Sequence, residues 1–335
     1  MKIPFGIAIV VAVQLASASL MPRQTSAQSL KSSDALELSG VAYLDYAYVL
    51  SDPGDAAGDN GFGYRRIYLT SDYKVAADMK LRARLEAGDT STNEDGKPAP
   101  FMKDLYLQWD NALAEGHRLT IGISSPPSFT VAEGFLGYRS LDKMIQDRDK
   151  IVSSRDMGVK MSGPLGGALK YAVMFANNSG TKAESNRHKR VYGQIEASPT
   201  ERVHMTIGAD YASLPGGSSM NTNAFIGYSL DKVRFGVEGY YNPVKPEDNT
   251  SDMDRLGVSV FGAATVSDAV ELVARYDNTS VEDATGETTD GWFGLLGLAW
   301  QARDNVRFIP NVILDNKLGA DEARVTGRVT LHVDF

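Results

Sequence analysis

The chain contains no cysteine, which excludes disulfides and thiolate metal sites. Histidine is scarce: His117, His188, His204 and His332 stand on separate segments without metal-ligand spacing. No glycine-rich phosphate loop occurs. His332 has Thr330 near it on one face, but no acid–base constellation completes a catalytic site. The sequence therefore predicts no enzyme, no bound metal and no cofactor. Positive charge is also short, with 34 Lys and Arg against 42 Asp and Glu and a net charge of −8. That balance argues against a nucleic-acid partner. Beyond the amino terminus, no stretch approaches the ~18 apolar residues that a membrane helix needs.

The amino terminus reads as an export signal. Lys2 supplies a positive start, Ile3 to Leu15 an apolar core, and Thr25-Ser26-Ala27 a small-residue cleavage site. Residues 1–27 are thus expected to be removed. Loss of Lys2 and Arg23, two positive charges, takes the net charge from −8 to −10.

Alternation is what the chain has in abundance. In its last segment Val325, Val329, Leu331, Val333 and Phe335 share one face, and Arg324, Arg328, His332 and Asp334 the other. This is the period of a strand with one apolar side. The pattern recurs from Leu36 onward and gives sixteen strands. The connections after odd-numbered strands are mostly long and polar, and those after even-numbered strands mostly short. The expected fold is all-β: a transmembrane up-and-down antiparallel β-barrel over residues 28–335, with long extracellular loops and short periplasmic turns. About ten residues at ~3.3 Å each, tilted ~40°, span roughly 25 Å of apolar band. Tyr48, Phe175, Tyr211, Tyr241 and Tyr276 mark one end of that band. Phe101 with Trp109, and Trp292 with Trp300, are expected on the same outward face as paired girdle residues.

If the apolar face meets lipid, the charged face meets the lumen. Burial of so many unpaired charges in a dry core is prohibitive, so the interior is expected to hold water. Arg66, Lys80, Arg82, Arg84, Lys160 and Arg190 are candidate pore-lining residues that attract anions. The alternative for the first four is neutralisation by Glu86 and Asp104 on neighbouring strands. The longest non-alternating segment, about residues 126–155, carries Glu133, Tyr138, Arg139, Lys143, Arg148 and Arg155. A segment of this length in a compact fold is expected to turn inward and constrict the pore.

Gly122-Ile123-Ser124-Ser125-Pro126-Pro127, then Gly137-Tyr138-Arg139-Ser140-Leu141-Asp142-Lys143, then Ser153-Ser154-Arg155-Asp156-Met157-Gly158-Val159, follow one another in this region. That order resembles the third-loop region of the porin family that includes the phosphate- and pyrophosphate-selective porins of Gram-negative bacteria. The resemblance implies an outer-membrane channel, usually a homotrimer, whose third loop forms the constriction. Asp142, Asp147 and Asp149 interrupt the basic residues here, so the expectation is passive diffusion of small ions and hydrophilic solutes with a mild anion preference. The competing expectation is an outer-membrane anchor or adhesin with a plugged lumen and acidic binding loops.

Overall fold

The computed structural model describes residues 35–335, apart from residue 90 and residues 248–251. The expected export signal at 1–27 lies outside the described residues. Sixteen antiparallel strands close into one barrel, each bonded to its sequence neighbours and the last bonded to the first. They are β1 (Leu36–Ser51), β2 (Asn60–Ala76), β3 (Met79–Ala87), β4 (Phe101–Asp110), β5 (Arg118–Ser124), β6 (Asp156–Gly166), β7 (Leu169–Ala176) and β8 (Arg190–Thr200). The second half comprises β9 (Val203–Leu214), β10 (Gly217–Ser229), β11 (Val233–Pro246), β12 (Met253–Ser267), β13 (Val270–Asp283), β14 (Thr288–Arg303), β15 (Val306–Asn316) and β16 (Arg324–Asp334). Between β5 and β6 the chain forms two short helices, α1 (Thr130–Leu136) and α2 (Ile145–Arg148).

The period-two pattern is realised as two walls. On β9, Met205, Ile207 and Tyr211 are exposed outward while Thr206 and Asp210 are buried inward. Tyr48, Phe175, Tyr241 and Tyr276 also stand exposed among the outer hydrophobics. Closure removes the free edges that an open sheet would present. At the seam, Gly40 and Phe335 exchange backbone hydrogen bonds of 2.5 and 3.0 Å. The Phe335 ring lies over Gly40 so closely that any Cβ there would meet it at 2.2 Å.

Two strand pairs run further than alternation predicts. Apolar alternation in the sequence ends β9 at Tyr211 and starts β10 at Thr222. Instead the ladder continues to Leu214 and resumes at Gly217, with Gly216 at φ +72 in the tight turn. β13 and β14 likewise extend to Asp283 and from Thr288. The β13 and β14 extensions are almost wholly polar, and β9 ends with its apolar Ala212 and Leu214 on the inner face of Asp210, so neither pair continues the outward apolar pattern although the backbone ladder persists.

Two β-bulges alter the face assignment. Tyr43 pairs with Arg66 but Leu44 with Tyr64, which leaves Arg65 as an extra residue on β2. Arg84 pairs with Asp104 but Leu85 with Met102, which leaves Lys103 as an extra residue on β4. Each bulge sends two consecutive charged side chains inward. The second also corrects one expected girdle residue. Phe101 lies opposite Glu86 on the inner face, whereas Trp109, beyond the bulge, stays on the outer one.

Candidate functional site

Residues 125–155 fold into the barrel and lie against one side of its interior. Gly137, at φ +77, ends α1 in the left-handed conformation that suits glycine, and its N–H is donated to the Glu133 carbonyl. Phe129, Leu136, Leu141, Met144, Ile145 and Val152 form a buried cluster with the inward Met174, Tyr192, Phe225, Tyr240, Phe261 and Phe293. These wall residues come from β7, β8, β10, β11, β12 and β14. The apolar side chains of the segment thus find a small dry core inside an otherwise polar lumen.

Charged wall residues hold the segment by its main chain. Arg190 donates to the Ile151 carbonyl at 3.0 Å, and Lys160 to that of Ser125 at 2.8 Å. Arg234 reaches the Leu136 carbonyl with two nitrogens at 3.2 Å, and Arg275 donates to that of Lys143. Arg65 and Arg328 both donate to the Leu141 carbonyl, at 3.1 and 2.6 Å. A loop has few internal backbone partners, and these donors satisfy carbonyls that burial would otherwise strand. Side chains of the segment complete the attachment. Tyr138 donates to Glu271 at 2.5 Å, Gln146 to Glu238 at 2.7 Å, and Arg148 pairs with Asp315. Burial, followed by the hydrogen bond to Glu271, raises the Tyr138 phenol above its usual range, so it stays a donor.

Behind the segment the ion pairs are one to one. Arg190 pairs with Asp210 at 2.7 Å, Arg275 with Asp277 at 2.8 Å and Arg234 with Glu271 at 3.0 Å. The opposite wall, β2 to β4, is built differently. Asp72 takes Arg82 at 2.8 Å and Lys80 at 3.7 Å. Glu86 takes Arg66 at 2.8 Å and Lys103 at 2.9 Å. Asp104 takes Arg84 at 3.3 Å and also Arg155 from the end of the inserted segment. Three carboxylates are thus each shared by two cations, which leaves a surplus of three positive charges. Lys160, on β6, has no carboxylate partner among the described residues and is held by the Ser125 carbonyl of the inserted segment. At the edge of this wall Asp45 repeats the pattern with Arg65 at 2.8 Å and Arg328 at 3.9 Å.

Depth adds to the asymmetry. The side chains of Lys80, Arg82 and Arg84 are 36, 24 and 21% exposed, against 11% for Asp72 and 3% for Asp104. Asp72 and Asp104 thus sit behind their cations, whereas Arg66, Lys103 and Glu86 are covered alike, at 10, 11 and 11%. The inserted segment carries both signs, the Lys143 side chain 48% exposed and that of Glu133 28%. Glu133 pairs with Arg139 at 2.9 Å, and Asp147 with Arg139 at 3.4 Å and Lys143 at 4.0 Å. Burial raises the Glu133 carboxyl above its ordinary range, with Arg139 pulling it back down.

The sequence-predicted residues therefore separate into three groups. Arg66, Lys80, Arg82 and Arg84 come together on β2 and β3, and Arg155 joins them through Asp104. Glu133, Arg139 and Lys143 share the inserted segment. Arg190, expected to line the pore, is buried beneath that segment and paired, and Tyr138 and Arg148 point into the wall behind it. Arg65, Lys103 and Asp72 belong to the site and escape sequence reasoning. For the first two the missing signal is the bulge. Among the described residues, no group of three or more His, Asp or Glu is placed to hold a metal, and no helix is long and apolar enough to cross a membrane.

No protein-family model matches the chain, and no curated protein does. Solved structures do. A loop-deletion form of OmpT, an outer membrane protein of Vibrio cholerae, superposes at TM-score 0.69 with 15% identity, over 90% of this chain and 99% of that one. The outer membrane channel DcaP of Acinetobacter baumannii gives 0.68 at 10% identity, over 91 and 99%. An anion-selective porin from Comamonas acidovorans gives 0.66 at 13% identity, over 90 and 99%. A trimer form of OmpT gives 0.63 at 13% identity, over 90 and 99%. At these identities the likeness establishes the barrel fold.

Proposed function

We propose that the protein is a passive diffusion channel of a Gram-negative outer membrane, open to small ions and hydrophilic solutes and mildly selective for anions. The observation that carries this reading is that each of the three carboxylates on the wall facing the inserted segment is shared by two cations, five of them from the wall and the sixth, Arg155, from the segment. Structural ion pairing alone needs one partner each, as the wall behind the segment illustrates. A surplus of fixed positive charge lowers the free energy of an anion in the lumen and raises that of a cation. The apolar outer wall supports a lipid environment. The likeness to an outer membrane channel and to an anion-selective porin supports the channel reading.

In this reading Arg66, Lys80, Arg82 and Arg84, with Arg65 and Lys103, form the selective wall. The segment bearing Glu133, Arg139 and Lys143 sets the constriction. Residues 1–27 act as the export signal, and three copies assemble in the membrane, as the trimer form of OmpT suggests by analogy. No catalytic residue, metal or cofactor takes part.

Refolded protein added to a planar lipid bilayer tests the reading. Stepwise conductance increases are expected, with a reversal potential in a KCl gradient on the chloride side of zero. An absence of steps would reject a channel in favour of a plugged barrel.

A further inference from the structure

Three tyrosines stand among the cations of the selective wall. The Arg66 guanidinium lies 6.0 Å from the Tyr43 ring centre and 5.1 Å from that of Tyr68. Arg84 lies 4.9 Å from Tyr68, and Arg82 lies 5.9 Å from Tyr106. Rings and guanidinium groups thus alternate across β1 to β4. Tyr43 is buried, and Tyr68 and Tyr106 are half-buried on the inner wall. Beside Tyr106, the positions in register on β5 and β6 are Gly122 and Gly158. At both, an added Cβ would meet backbone at 2.1 Å, so the wall there is bare and close-packed. Tyr106 thus stands between the Arg82 guanidinium and a stretch of wall without side chains.

Simple anion selectivity requires only the charges. The ring faces add little for a spherical anion, which can use only a phenol O–H. Together the two groups match a molecule with a carboxylate at one end and an aromatic face at the other: the guanidinium groups take the carboxylate, and the phenol rings take the face by offset stacking. Resting on the channel reading above, we propose that this wall is a binding track for planar organic anions, with small aromatic carboxylates as its preferred solutes.

The test uses the full-length protein in planar bilayers. Benzoate and cyclohexanecarboxylate have the same charge and similar size, and only one is flat. Each is titrated against the chloride current. Benzoate is expected to reduce the current at about ten-fold lower concentration, the scale of one to two aromatic contacts. Tyr68→Leu with Tyr106→Leu should abolish that preference, and Tyr68→Phe with Tyr106→Phe should keep it. Equal half-blocking concentrations in the unaltered protein would overturn the proposal, and so would a preference that survives in the leucine variant. If the leucine variant does not fold, the comparison in the unaltered and phenylalanine proteins still decides. A channel that conducts chloride but ignores the ring refutes only this inference, whereas one without chloride preference refutes the function proposed above.

Discussion

Arg66 and Lys103 reach the same carboxylate, Glu86, at 2.8 and 2.9 Å, one on each oxygen. Neither cation is fully neutralised, and Lys103 is there only because a bulge turned it inward. The pair shows in miniature how the barrel divides its charges. The side behind the inserted segment pairs its cations one to one, and the other keeps cations in excess, Arg65 among them although it also donates to the Leu141 carbonyl.

The first prediction concerns the bulges. The chain has no cysteine, so single cysteines report accessibility without background. Arg65→Cys, at a side chain 24% exposed, should react readily with a water-soluble thiol reagent when the protein is in lipid vesicles, and Lys103→Cys, at one 11% exposed, more slowly. Ile67→Cys and Leu105→Cys, on the outer wall, should be protected by lipid. Protection of residues 65 and 103 would mean that strict alternation holds and the bulges are absent.

The second prediction separates structural from selective arginines. Arg275 and Asp277 have side chains 2 and 0% exposed. Arg275→Ala strands a buried carboxylate and should cost about 3–5 kcal/mol in denaturant unfolding. It also removes the donor to the Lys143 carbonyl, so current noise from a loosened segment should rise. Arg82→Ala removes a partly exposed cation from a shared carboxylate and should cost about 1 kcal/mol or less. Equal losses from both would erase the distinction drawn between the two walls.

The barrel is legible in the sequence where one face is apolar. β9 shows this, with Met205, Ile207 and Tyr211 against Thr206 and Asp210. Legibility stops where the period stops. The extension to Leu214 turns its apolar residues, Ala212 and Leu214, inward, that to Asp283 is almost wholly polar, and backbone pairing leaves no mark on either composition. Bulges are invisible for a related reason: Arg65-Arg66 and Lys103-Asp104 are consecutive charges that alternation must split between faces. The inward segment was legible from its length and from Pro126-Pro127. Its attachment was not, since Arg190, Arg234 and Arg275 donate to carbonyls, which every residue carries.

The third prediction follows from Glu133. Its carboxyl lies above the ordinary carboxylate range because burial disfavours the charge. As pH falls through that raised value, the segment loses a negative charge opposite the basic wall. Anion selectivity should therefore increase on acidification, starting at higher pH than an ordinary glutamate would allow. The sign for stability agrees: a raised carboxyl favours the folded state at low pH, and this contribution is lost as pH rises through the folded value. Glu133→Gln should remove this step from the reversal-potential profile. An unchanged profile would show that another group titrates.

The most direct test of the selective wall is the reversal potential of Arg82→Glu with Arg84→Glu in a KCl gradient. The two substitutions change the wall by four charge units. A unit charge ~10 Å away in water is worth ~0.4 kcal/mol, reduced to roughly 0.15 kcal/mol by screening at one Debye length. Four units then shift the free energy of chloride by ~0.6 kcal/mol, about a three-fold factor, and that of potassium oppositely. The chloride-to-potassium permeability ratio should fall at least three-fold, with conductance steps retained. A reversal potential equal to that of the unaltered protein would contradict the account.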